Sequence, residues 1–265
     1  MEDTYSLFRK SPHLKIFYFI GRLNPPHEGH ISALIQMIER ANAESSIPLI
    51  LIGSGPKGER TMDNPVTFDT KCEFLKYIIP SSLKFSIRPL KNPMADVEQW
   101  YHNVLTHIET PSQVSFIRFA GDKGDNATKF AHMDKRFSGL HNNADSSTVA
   151  LPPVMASASK EMSATIVRKT AYSALLEGGP EGGYEVFRAR LGGFYKEFTG
   201  QIYREIIEVV QGISPQDIQT YIDTTKLPKK ARAKTGKAKA KSKPKSKTSK
   251  NRANGLSSPE SSPNE

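Results

Sequence analysis

The chain alternates between two hydrophobic periods. Leu14-Lys15-Ile16-Phe17-Tyr18-Phe19-Ile20 is a nearly unbroken apolar run, aromatic and β-branched, as a parallel strand buried on both faces should be. Ile31, Leu34, Ile35 and Ile38 then fall at i, i+3, i+4 and i+7, which is one helical face. A second strand pattern covers residues 47–53 and ends in the turn-rich stretch 54–58. Strand, crossover helix and strand make a βαβ unit, so the spacing predicts a parallel sheet.

The alternation continues. Thr67 is a candidate N-cap for a helix carrying Phe74, Leu75, Ile78 and Ile79. Residues 83–90 alternate as a third strand, a helix spans roughly 95–108, and residues 114–120 form a fourth strand. Residues 127–146 are polar and give no clear period, while 147–151 read as a fifth strand. From Ala164 the apolar positions Val167, Ala171, Ala174 and Leu175 return to helical spacing, up to a Gly-rich break at 177–183. Phe194, Phe198, Ile202, Ile206 and Val210 predict one further amphipathic helix, stopped at Gly212, and Ser214-Pro215 caps a last one. The expectation is an α/β fold: a Rossmann-like parallel sheet with helices on both faces, in a domain of residues 1–225 that includes extra C-terminal helices.

Charge changes the picture at one end only. The net charge of +10 points to nucleic acid until it is mapped. Residues 226–252 hold 13 Lys or Arg and no acid, whereas residues 1–225 hold 24 basic and 25 acidic side chains and are nearly neutral. The segment 226–265 has almost no large apolar side chain, so burial cannot offset its ordering entropy, and it is expected to be a disordered basic tail. Such a tail has the composition for non-specific contact with nucleic acid, for a nuclear address at 228–232, or simply for solubility. Cys72 is the single cysteine, which excludes an intrachain disulfide and fits a reducing compartment. The opening residues Met1-Glu2-Asp3-Thr4 lack the apolar core of a secretory signal, and no apolar run reaches about eighteen residues, so the expected location is cytoplasm or nucleus, with no membrane partner. The pattern leaves open whether copies associate.

Candidate chemistry sits between the first strand and the first helix, in Gly21-Arg22-Leu23-Asn24-Pro25-Pro26-His27-Glu28-Gly29-His30. Two prolines keep the chain out of helical geometry until His27, and the helix beginning there presents free amides and a positive dipole end that attract phosphate. His27 and His30 can project from the first turn toward one spot, with Gly29 leaving room between them. Read alone, two histidines at this spacing are as readily a surface pair beside a turn. The whole string G-R-x-x-P-x-H-x-G-H after a strand resembles the signature of the HxGH nucleotidyltransferase superfamily.

Three further stretches extend the resemblance. Met162-Ser163-Ala164-Thr165-Ile166-Val167-Arg168 is similar to the second superfamily signature, usually I-S-x-T-x-x-R, with Met162 in place of isoleucine. The Arg60 to Thr67 segment, R-T-x-x-N-P-x-T, resembles the loop after strand two in nicotinamide-nucleotide adenylyltransferases, especially the branch sometimes fused to a Nudix hydrolase; no Nudix box is present here. Gly121-Asp122-Lys123-Gly124-Asp125 resembles the fourth-strand loop that lines the nucleotide site. The family reading implies catalytic roles for His27, His30 and Arg168, and nucleotide contacts from Gly21, Arg22, Gly29, Asp122, Ser163 and Thr165. It implies acceptor contacts from Arg60, Asn64 and Trp100, although a lone tryptophan on an apolar helical face also reads as core packing. ATP and nicotinamide mononucleotide would be the substrates, with Mg²⁺ held mainly by the triphosphate and no metal ligands on the chain. The alternatives are another adenylyl- or cytidylyltransferase, or a nucleotide-binding protein without catalysis, tethered by its tail.

Overall fold

Five strands pair side by side, all in parallel. The computed structural model describes residues 12–54, 58–109, 111–121, 131–140, 144–151, 155–157, 160–161 and 163–225. The chain divides into units Met1–Ala231 and Arg232–Glu265, and every described residue lies in the first. Strands β1 (His13–Gly21), β2 (Leu49–Ile52), β3 (Ser86–Pro89), β4 (Gln113–Gly121) and β5 (Ala144–Leu151) form one sheet in the order β3-β2-β1-β4-β5. The crossovers include α1 (Glu28–Ala43), α2 (Phe68–Ile78), α3 (Pro93–Leu105) and α4 (Ala131–Phe137). This is an α/β, Rossmann-like fold.

Side-chain alternation along each strand sorts the core into two layers. Phe17, Phe19, Ile50, Ile52, Ile117 and Phe119 face α1, α2 and the C-terminal helices. Leu14, Ile16, Tyr18, Leu49, Leu51, Val114 and Phe116 face α3 and α4. Burial on both faces explains why β1, β2 and β4 read as largely apolar runs, whereas the edge strands β3 and β5 carry polar positions. The strand order reverses direction between β1 and β4, a switch point beyond whose carboxyl ends ligands of such sheets bind.

Of two C-terminal expectations, one holds and one needs correcting. The break expected at 177–183 is present as a kink at Gly179 (φ +68°, ψ −171°), which joins two helical limbs within α5 (Ala164–Tyr195). Helix resumes at Pro180, whose missing N–H is harmless in a first turn. The two limbs then approach so closely that a Cβ on Gly183 would lie 2.6 Å from the Ala174 carbonyl oxygen. Conversely, the single helix predicted over 194–210 is divided. α5 ends at Tyr195, Lys196 takes φ +50°, a 3-10 turn covers Lys196–Phe198, and α6 (Thr199–Glu208) follows before α7 (Pro215–Thr224). Aromatic packing accounts for the division. Phe194, Tyr195 and Phe198 all pack on Phe74, with ring centroids 5.6, 5.5 and 5.6 Å away. The polar stretch at 127–146 holds α4 and the start of β5, and a short hairpin pairs Met155–Ser157 with Lys160–Glu161. Among the described residues no helix is long and apolar enough to cross a membrane.

Candidate functional site

β1 delivers the chain to the carboxyl edge of the sheet at Gly21, whose carbonyl accepts from the amide of Gly53 (2.9 Å). A Cβ at Gly21 would lie 2.6 Å from the Phe19 ring. Arg22 is exposed. Leu23 follows at φ +48°, a left-handed conformation that costs a residue with a Cβ of order 1 kcal/mol. Its side chain is buried in the first core layer, which holds the strained residue in place.

Asn24 anchors the loop. Its amide nitrogen donates to the Val66 carbonyl (3.0 Å) and to Asn64, and its oxygen accepts from the Val66 amide (2.9 Å). Asn64 donates in turn to the carbonyls of Ser54 and Gly58, both at 2.8 Å. Two buried asparagines therefore join the loop after β1 to the loop after β2. Asn64 thus organises the two loops, with its amide satisfied inside the protein.

Pro25 and Pro26 lead into His27, which is extended (φ −143°, ψ 169°) and forms the N-cap of α1. Its carbonyl accepts from the amides of His30 (2.8 Å) and Ile31 (3.1 Å). The amides of the first turn lie outside the i→i−4 ladder, the usual condition for an anion-binding helix start. His27 is buried and His30 half-buried, and their rings stack at 3.7 Å between centroids with a 34° tilt. Gly29 lies between them in the same turn, and Glu28, exposed, is the one acid there.

The second motif comes to this same loop. Ser163 is the N-cap of α5 and accepts from the Ile166 amide (3.3 Å). Arg168, buried, donates from Nη1 to the carbonyl of Asn24 (2.7 Å), from Nε to the hydroxyl of Tyr221 (3.1 Å) and from Nη2 to Thr165 Oγ1 (3.4 Å). Asp63 Oδ1 lies 3.9 Å from Nη2. Tyr195 donates its hydroxyl to the Pro26 carbonyl (2.7 Å). Residues 168 and 195 thus fix the two carbonyls just before the histidines. Two side chains that sequence reasoning did not single out for the site, Tyr195 and Tyr221, belong to this arrangement.

Lys71 was missed as well. It is fully buried, and its ammonium lies 3.5 Å from Asn64 Oδ1. Burial lowers its pKa to about 8, against the nearby carboxylates of Glu59 and Glu205, while Arg22 adds repulsion. A basic residue one position before Cys72 carries no sequence signal for burial.

The other two expected acceptor residues have partners within the protein. Trp100 is only 2% exposed, in the core layer under α3, with the Arg88 guanidinium 4.9 Å above its ring. Its large apolar surface is covered there, the core packing that its apolar helical position suggests. Arg60, at φ +59°, forms an ion pair with Glu208 at 2.6 Å. Asp122 and the rest of the 122–130 loop lie outside the described residues. Among the described residues no group of three or more His, Cys, Asp or Glu side chains is placed to hold a metal.

No family model matches the chain, and no curated protein matches it. Among solved structures it is similar to one titled as a macrolide-efflux protein from Streptococcus pneumoniae, with 11% identity and a TM-score of 0.37. That likeness covers 71% of this chain and 58% of the other.

Proposed function

We propose that the chain is a nucleotidyltransferase that moves the adenylyl group of ATP to nicotinamide mononucleotide, releasing pyrophosphate and forming NAD⁺. One observation carries the reading. The stacked pair His27 and His30 begins a helix at the carboxyl end of β1, and the arginine of the second motif reaches the same loop through the Asn24 carbonyl.

The chemistry asks little beyond alignment and charge neutralisation. The acceptor brings its own nucleophile, a phosphate oxygen already ionised at neutral pH. A bond forms from that oxygen to the α-phosphorus, the bond from the α-phosphorus to the bridging β oxygen breaks, and pyrophosphate departs with the electron pair. His27, His30 and the first-turn amides of α1 would hold α- and β-phosphate oxygens as charge spreads over them. Arg168, with Thr165 beside it, would receive the departing end. Mg²⁺ would enter with the triphosphate and supply further charge neutralisation.

The acceptor rests on the Arg60 to Thr67 resemblance, since Asn64, Trp100 and Arg60 have partners within the protein. That observation keeps another adenylyl- or cytidylyltransferase of the superfamily as the second reading. Incubation with Mg-ATP and nicotinamide mononucleotide should yield NAD⁺ and pyrophosphate in equal amounts. Pyrophosphate released only with CTP, or only with phosphopantetheine, would move the assignment to the second reading, and none with any pair would end the transferase proposal.

A further inference from the structure

We infer that Tyr221, on the last helix, is a positioning residue that sets the guanidinium of Arg168 for the β- and γ-phosphate end of a bound nucleotide. The inference rests on the nucleotidyltransferase reading. It goes beyond it by giving α7, which lies outside both sequence motifs, a part in the site.

The hydroxyl of Tyr221 has one proton and two acceptors in reach, the Met62 carbonyl at 3.1 Å and Asp63 Oδ1 at 2.9 Å. The Met62 carbonyl already takes the hydroxyl of Tyr172, also at 3.1 Å. A carboxylate is the stronger acceptor, so the Tyr221 proton goes to Asp63 and its oxygen faces the Arg168 Nε–H at 3.1 Å. Burial raises the pKa of Tyr221 and keeps the phenol protonated through the neutral range. Asp63 stands 3.9 Å from Nη2, too far for a direct hydrogen bond, and the phenol is the group that links carboxylate to guanidinium.

The donor count shows what this linkage achieves. A guanidinium has five N–H groups. Among the described residues, Nε is held by Tyr221, one hydrogen of Nη1 by Asn24 and one of Nη2 by Thr165. One N–H is left on each terminal nitrogen for phosphate oxygens to accept, with the Asp63 carboxylate 3.9 Å from Nη2. Without the phenol the Nε side loses its anchor and the plane of the guanidinium is free to turn. The Tyr221 ring itself packs edge-on against Tyr172 at 5.5 Å, which Phe would preserve.

Calorimetric titration of the full chain with Mg-ATP, inorganic pyrophosphate and AMP tests this. Tyr221→Phe should weaken ATP and pyrophosphate by roughly tenfold, the loss expected for one hydrogen bond to a charged group. AMP has no β- or γ-phosphate and should bind as before. Tyr172→Phe, which removes the neighbouring hydroxyl from the same carbonyl, should leave all three unchanged. Equal losses for ATP and AMP, or no loss for either, would overturn the inference while the transferase reading stands. Wild-type protein that binds neither ATP nor pyrophosphate overturns both. Should Tyr221→Phe fail to fold, the Arg168 Nε–H proton of the wild type, assigned by its disappearance in Arg168→Lys, decides instead. Slow exchange with solvent and a shift on adding pyrophosphate support the inference, and free exchange or no shift refutes it.

Discussion

His30 combines a ring stacked on His27 with a place in the first turn of α1, where developing negative charge is best received. Replacing it with alanine removes one preorganised donor, and turnover should fall by roughly 10² to 10³. The assay is initial NAD⁺ formation at saturating substrates, and near-normal turnover would remove His30 from the machinery. Lys71 makes a different prediction. Its folded pKa of about 8 lies below the ordinary value of 10.5, so between those values the unfolded chain holds a proton that the folded one has lost. Stability contributed here therefore rises with pH above 8, and below 8 the buried ammonium carries its full penalty, of order 3 kcal/mol. Cys72, raised by burial from 9 to about 11, acts in the opposite direction above pH 9, so the window for observing Lys71 is pH 8 to 9. Lys71→Met should be more stable than wild type at pH 7, and its urea midpoint should not climb between pH 8 and 9; a parallel climb in both proteins would show that another group titrates. His27 and His30 were legible because strand, prolines and helix surround them in one short stretch. Lys71 and Tyr221 were not, because burial and hydrogen bonding come from residues distant in sequence.

At the scale of elements, helix ends decide more than helix faces. The start of α2 is capped twice: Thr67 Oγ1 accepts from the Thr70 amide (3.4 Å), and Glu205 of α6 accepts from the Thr67 amide (2.8 Å) and the Thr70 hydroxyl. Only the first cap could be read from the sequence. The second places a carboxylate from a distant helix on the positive end of α2. Glu205→Ala should cost about 1–2 kcal/mol, the range for a lost cap, measured as a shift in the urea midpoint at unchanged slope. No shift would mean that water replaces the carboxylate without loss. The divided helix at 195–199 teaches the complementary lesson. Four-residue periodicity marked Phe194, Phe198 and Ile202 as one face, and all three are indeed packed inward. Periodicity records which side is buried; it does not record a turn of 3-10 geometry that lets three aromatic rings meet Phe74.

For the whole molecule, a parallel sheet covered on both faces followed from alternating strand and helix patterns and short connections, whereas the strand order did not. For Trp100 the apolar helical position already pointed to core packing, but it could not say which side of the sheet the ring serves. The segment 226–265 carries nearly all the excess positive charge, and removing it leaves a nearly neutral chain. Its deletion should leave the melting temperature and the NAD⁺ rate unchanged while abolishing salt-sensitive retention on a polyanionic resin. A fall in rate would bring those residues into the active machinery.

The loop before the histidines owes its shape to Arg168 and Tyr195, which grip the carbonyls of Asn24 and Pro26. During synthesis the histidines therefore leave the ribosome long before their supports. A nascent chain cannot complete this cradle until most of its length has been made, so a partial translation product would carry both imidazoles and still lack the scaffold that aligns them.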